Sequence, residues 1–461
     1  MQPANEVREL ETGERRTPRS EASRGGTSGS AKSTPETKQL WTARLRPIGY
    51  SFADQVFAVG TTFLANVILA RTQTKEHYGL FALSYSVFTF LSAVHNSVIV
   101  DPYLVYGSGR YRGKFSEYFQ LMIRANAVFG LALTVLVLVV CLVLHWTVPR
   151  FASPALWGLG VAVGILLSGI FIRRVFYLER KTQYAARGSF TSFVTVAISL
   201  WCAARFHVLN DFWVFVILAF GWVVAGVDLK GKLPLRNKVP NFLDSEPNYW
   251  SEHWKYSKWV LTTAFVFQLT TQGYYWIVAG FVSVKEVAEL RVMQMLVTPI
   301  DQVFIALSFL AVPALAGRHS SKQIRSFLTF TKRYVLLVIG TTSLFALVVR
   351  IVGRPVMHWL YAGKFDDLVP MLYIMAYLPL IMGIGNAMCN ALSAAEKPKL
   401  VTVAYMSSGA VTLSAGIWLV VRYGLRGAVF GLLLSASAYT TALVLGFLVS
   451  FCRPAHPVIH E

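Results

Sequence analysis

Apolar blocks of about 20 residues follow one another along this chain, separated by short polar interruptions. One interruption holds Arg71, Lys75, Glu76 and His77 between a run that ends at Ala70 and another that starts at Tyr78. A hydrocarbon core about 30 Å thick takes roughly 20 mostly apolar residues per helix. Stretches 128–145, 154–172 and 427–451 have that length, so the island at 71–77 reads as a turn between two membrane-crossing helices. The pattern predicts twelve spans, at 49–70, 79–107, 119–145, 154–172, 189–207, 211–228, 257–283, 287–315, 334–352, 368–393, 399–421 and 427–451. The expected fold is an all-α integral membrane protein with about 12 transmembrane helices in two six-helix bundles, 48–228 and 257–452. A cytoplasmic interfacial linker, 229–256, joins them. Residues 1–47 are expected to be a disordered cytoplasmic tail, and 453–461 a short cytoplasmic one.

Composition agrees. The chain is 55% hydrophobic and 14% charged, against about 25% charged in soluble domains. Lys and Arg are unevenly placed. Loops 108–118, 173–188, 229–258, 316–333 and 394–400, with the C-terminus, carry 22 of them; the opposite loops carry 11. Cytoplasmic loops collect positive charge, which puts both termini in the cytoplasm. The same bias accounts for much of the net charge of +20, so no nucleic-acid partner is needed to explain it. Residues 1–40 lack any aromatic side chain and cannot bury enough apolar surface to fold. They also lack the apolar core of a signal peptide. Cys141, Cys202, Cys389 and Cys452 are scattered, with neither metal-ligand spacing nor a disulfide framework. Gly160-x-x-x-Gly164 and Gly427-x-x-x-Gly431 match the close-packing pattern of membrane helices.

The polar island recurs. Lys75-Glu76 with Leu80 is echoed by Lys285-Glu286 with Leu290, offset by 210, and Glu179-Arg180-Lys181 by Glu396-Lys397, offset by 217. With six spans on either side of the central loop, these echoes point to parallel repeats about an axis normal to the membrane. Trp250, Trp254 and Trp259 place that loop along the cytoplasmic interface.

A charge at the bilayer centre costs about 2.5–3.5 kcal/mol on insertion scales, so polar stripes inside spans mark partners or water. On span 8, Arg291, Gln294, Thr298, Asp301, Gln302 and Ser308 share an arc of roughly 120° at 100° per residue. Pro299 interrupts the backbone bonding there and predicts a kink. Span 7 aligns Gln268, Thr271, Gln272 and Tyr275; span 2 aligns Tyr85, Thr89, Ser92 and Asn96, with His95 at the edge; span 1 carries Asp54, Thr61, Thr62 and Asn66. Isolated hydroxyls and amides read best as hydrogen-bonding glue between helices, worth about 0.6 kcal/mol each. The long span 8 stripe reads as cavity lining. Candidate substrate or ion residues are therefore Asp54, Asn66, Ser92, Asn96, Gln268, Gln272, Tyr275, Arg291, Gln294, Thr298, Asp301 and Gln302. Arg124 joins them, since it can snorkel to the interface and meet an anionic head group.

Three stretches resemble a known family: LARTQTKEHYGLFALSYSVF at 69–88, HWLYAGKFDDLVPMLYIMAY at 358–377 and YGLRGAVFGLLLSASAY at 423–439. They are similar to the polysaccharide transport family. That family, with the O-antigen-type flippases, belongs to the multidrug/oligosaccharidyl-lipid/polysaccharide (MOP) exporter superfamily. The resemblance covers about 50–450. It implies a bacterial inner-membrane transporter that moves a sugar on an undecaprenyl-type lipid carrier to the outer leaflet, with spans 1, 2, 7 and 8 lining a central cavity. Implied partners are the lipid-linked saccharide, membrane lipids and the polysaccharide assembly machinery, with no cofactor. No ATP-binding loop is present in the sequence, so an H+ or Na+ gradient is the expected drive, with Asp301 or Asp54 as ion carrier and Arg124 or Arg291 for the carrier phosphate. The alternatives are a drug or cation antiporter of the same superfamily, or a polytopic sugar polymerase or ligase. Such an enzyme would need a sizeable outer loop, and the longest here, 353–367, is about 15 residues.

Overall fold

The computed structural model describes residues 35–234, 246 and 248–451, and every regular element among them is helical. The chain divides into two units, Met1–Arg46 and Pro47–Glu461. Of the smaller unit the described part, from Pro35, is helical, where the sequence reading expected disorder up to residue 47. Pro35 suits a first helical position and the following residues include good helix formers. The rest of that tail, linker residues 235–245 and 247, and the C-terminal tail lie outside the described residues.

The helices follow the predicted spans: α1 (Pro35–Thr72), α2 (Lys75–Ser108), α3 (Phe115–Thr147), α4 (Pro154–Leu178), α5 (Thr182–Arg205), α6 (Asp211–Leu229), α7 (Tyr249–Phe281), α8 (Val284–Val297 and Pro299–Ser320), α9 (Ile324–Tyr361) and α10 (Asp366–Ala394). The stretch Pro398–Phe451 holds the last two, α11 and α12, parted at Gly424. Gly424 has φ +56°, a left-handed conformation that glycine adopts without strain. Among the described residues nine helical stretches are long and apolar enough to cross a membrane, this double one included. The exceptions, α5, α7 and the first part of α8, carry more polar side chains. α8 is interrupted at Thr298, because Pro299 has no N–H to give. α2 contains a π-helical turn, Asn96–Val100.

At the α1–α2 end, Thr74, Ser153, Asn210 and Ser283 each accept a bond from a backbone N–H three residues on, capping α2, α4, α6 and α8. At the α2–α3 end, Arg180, Lys322 and Glu396 turn the chain with φ of 58°, 55° and 57°. Lys181 N–H then bonds Phe176 O, and Lys397 N–H bonds Leu392 O, in the same pattern. These landmarks set Thr74 against Ser283 and Arg180 against Glu396, offsets of 209 and 216. Both recurring letter groups are therefore one residue out of register with the helices that carry them.

Small residues bring the helices together as the sequence indicates. A Cβ on Gly130 would lie 3.2 Å from Gly164 Cα, so α3 and α4 approach backbone to backbone. A Cβ on Gly431 would strike the Tyr274 ring of α7 at 2.7 Å. α2 and α8 meet most tightly at Gly79, where a Cβ would fall 2.0 Å from Val284 O. Gly79→Ala should therefore force these helices apart and lower stability by about 1–3 kcal/mol. Gly113→Ala, with open space around it, should not. Thermal unfolding of the two variants in detergent checks this.

Candidate functional site

α1, α2, α7 and α8 meet along a polar seam, closed at the α1–α2 end by a buried cation. Arg291 of α8 is only 6% exposed. Its Nε donates to Asn66 Oδ1 of α1 at 3.1 Å and its Nη1 to Tyr275 Oη of α7 at 3.4 Å. The guanidinium lies over the Tyr85 ring of α2, 4.7 Å from its centroid. Tyr78 Oη donates to the same Asn66 oxygen at 3.1 Å, and Tyr275 Oη donates to Gln294. Among the described residues no carboxylate pairs with this charge; neutral oxygens and aromatic faces replace water around it.

Two lysines complete the closure. Lys75 at the start of α2 pairs with Glu289 of α8 at 2.9 Å and lies 5.0 Å from the Phe365 ring centroid. Lys364, between α9 and α10, donates to Ala70 O, Arg71 O and Gln73 O at 3.2, 3.1 and 2.7 Å. These carbonyls at the end of α1 lack helical partners, and a lysine there satisfies them. Burial lowers the Lys364 ammonium from the usual lysine value, and Lys75 nearby lowers it further.

Further along the seam, Gln268 Nε2 donates to Thr89 O at 3.4 Å, and Gln55 Nε2 donates to Gln302 Oε1 at 3.3 Å, joining α1 to α8. Thr298 Oγ1 bonds back to Gln294 O of its own helix. Ser92 Oγ, Asn96 Oδ1 and Gln272 Oε1 are buried without partners among the described residues. Asp301 is exposed, and its carboxylate makes no hydrogen bond or ion pair among the described residues. It lies on the arc of α8 that carries Gln294, Thr298 and Gln302.

Two candidates lie elsewhere. Asp54 is fully buried and directed to α4 and α5: Arg173 donates through Nε and Nη2 at 3.1 and 2.6 Å, Tyr177 Oη at 2.7 Å and Ser189 Oγ at 2.5 Å. Its neighbour Gln55, not Asp54, reaches α8. Arg124 is exposed with Val128, Leu131 and Val135, opposite the buried stripe of α3 formed by Met122, Asn126 and Gly130. The structure brings it to none of the others. Sequence reasoning overlooked Tyr78 and Glu289 as members of the closure, and Arg173 and Lys364 altogether. In the sequence Arg173 stands at the edge of a polar loop, although α4 continues past it. Nothing local in the sequence marks Lys364, whose acceptors are almost 300 residues away.

Arg173→Ala should leave a buried carboxylate uncompensated and cost about 3–5 kcal/mol, towards the lower figure because the arginine keeps 20% of its side-chain exposure. Asp54→Asn combined with Arg173→Gln should restore much of it. Thermal unfolding of the single and double variants decides.

No protein-family model matches the chain, and comparison with curated proteins finds no match. Solved structures do match. An inward-facing multidrug resistance MATE family transporter of the MOP superfamily superposes with a TM-score of 0.72 at 11% identity, covering 88% of this chain and 100% of the other. The lipid II flippase MurJ in an inward closed conformation gives 0.62 at 13%, covering 87% of each chain. A MOP superfamily transporter from Pyrococcus furiosus gives 0.62 at 10%, covering 88% and 96%. At such identities the likeness concerns architecture: the chain has the multi-pass, all-α membrane fold of the MOP superfamily.

Proposed function

We propose that this protein is a transporter that carries the head group of a lipid-linked oligosaccharide, or an exopolysaccharide precursor, across the bacterial inner membrane by alternating access, driven by an ion gradient. The observation that carries this reading is Arg291. A guanidinium on the polar seam, held by Asn66, Tyr275 and Tyr85 without a carboxylate, retains its charge for an anion. Guanidinium groups recognise phosphate oxygens with paired hydrogen bonds. A sugar head would otherwise lose its hydrogen bonds in hydrocarbon, at about 2–7 kcal/mol for each bare hydroxyl. The amides and hydroxyls of α1, α2, α7 and α8 offer replacements, while the lipid tail stays in the bilayer.

With the Lys- and Arg-rich loops in the cytoplasm, the closure at Arg291, Lys75 and Lys364 lies on the outer side, and the cleft opens inward. The six-helix halves, 48–228 and 257–452, are the rocking bodies. The structural likeness to both MATE transporters and MurJ supports a transporter of this general kind. A second reading, export of cationic compounds, is favoured by Asp301, an exposed carboxylate without a partner among the described residues.

Translocation of a labelled lipid-linked oligosaccharide in vesicles, with and without an imposed gradient, tests the first reading; efflux of a cationic dye tests the second. If Asp301 carries the coupling ion, Asp301→Asn at normal protein levels should reduce the response to the gradient by about 5–150-fold, the usual range of coupling between sites. Sugar-lipid transport with unchanged ion dependence removes that role. Thiol labelling of Thr298→Cys and Gln272→Cys should report aqueous access; protection of both in every conformer contradicts the cleft.

A further inference from the structure

His95 is fully buried near the middle of α2, immediately before the π-helical turn Asn96–Val100. Its surroundings fix the position of its hydrogen. Ser168 Oγ donates to Gly164 O at 2.8 Å, which leaves its lone pairs to accept from Asn126 Nδ2 at 3.0 Å. The Asn126 amide is thereby oriented with Oδ1 towards His95 Nε2, at 2.7 Å. An amide oxygen only accepts, so Nε2 carries the hydrogen and Nδ1 keeps the bare lone pair. That Nδ1 is buried with no partner among the described residues, as are Ser92 Oγ three residues before it and Asn96 Oδ1 one after it. A neutral ring suits this arrangement. An imidazolium would place a second buried N–H where no acceptor meets it.

The groups around the ring are neutral. α3 presents Asn126 and Phe129, the latter with its centroid 6.0 Å from the imidazole, and α4 presents Ser168 behind Asn126. Among the described residues no Asp, Glu, Lys or Arg interacts with the ring. Asp101 lies beyond the π-helical turn, and Arg124 lies on the opposite face of α3. π-helical turns inside α-helices recur at functional sites. Here the turn adjoins three polar atoms without partners.

We propose that His95 is a proton-binding site within the first half of the bundle, with Nδ1 as the acceptor and the Asn126–Ser168 chain holding that nitrogen free. A proton from water adds to Nδ1; no bond breaks, and the ring gains one positive charge. The conformation described here is the unprotonated one, and proton binding favours a state in which Nδ1–H finds water or a side-chain oxygen. Protonation then drives the bundle away from this closure. The inference rests on the reading of the protein as a gradient-driven transporter and makes the proton its coupling ion.

The test uses the purified full chain. His95→Gln keeps a donor for Asn126 but cannot titrate. Between about pH 8 and pH 3, a range wide enough for a histidine whose charged form is disfavoured by burial, wild type should take up one more proton than H95Q, measured potentiometrically. Equal uptake by two folded proteins overturns the site. Asn126→Asp places a carboxylate beside Nε2 and should raise the midpoint of that uptake by about 1–3 pH units. An unmoved midpoint also overturns it, and this variant decides if H95Q does not fold. In vesicles, H95Q should bind sugar-lipid but lose its response to a pH gradient. If wild type binds the proton yet moves no sugar-lipid, the transport reading fails and the site stands. If H95Q responds to the gradient as wild type does, the site fails and transport stands.

Discussion

A guanidinium withdrawn from water needs either an acid or a shell of oriented neutral groups. Arg291 has the second, and the position of four helices follows from it. Asn66 supplies an oxygen from α1, Tyr85 a ring from α2 and Tyr275 a hydroxyl from α7. None of these binds the charge as strongly as a carboxylate would. The closure is therefore held by neutral partners, each weaker than the acid of a fixed Arg–Asp pair. Lys75 and Lys364 reinforce it from the rim, each reaching a partner in the opposite half of the chain.

Asp54 shows the contrasting solution. Four donors surround its carboxylate, all from α4 and α5 within its own half. Such a group ties α1 to α4 and α5 inside the first half. The molecule thus gives its charges separate roles. A saturated pair sits inside one bundle, a cation with neutral partners on the seam between bundles, and Asp301, a carboxylate without a partner among the described residues, on the α8 arc that lines that seam.

Much of this was legible in the residues themselves. Apolar blocks set the twelve helices, because every backbone N–H and C=O in hydrocarbon must be paired within its own segment. Pro299 marked the interruption in α8, and the stripe from Arg291 to Gln302 marked the seam. Side-chain direction was less legible. Asp54 and Asn66 share a span and a polar character, yet one turns to Arg173 and the other to Arg291. Arg124 has the right charge on the wrong face of α3. Periodicity within one helix says which residues lie together; it does not say which neighbour they meet.

The register read from the turns has a consequence for symmetry. With Thr74 set against Ser283, Arg291 stands opposite Ala82, and His95 opposite Phe304, both buried apolar side chains. Neither basic group has a twin. The ionisable chemistry of the two halves differs: an imidazole lies inside one, a guanidinium at the edge of the other. Each half thus keeps an apolar side chain where the other carries a buried base, and the two frames match in outline but not in charge.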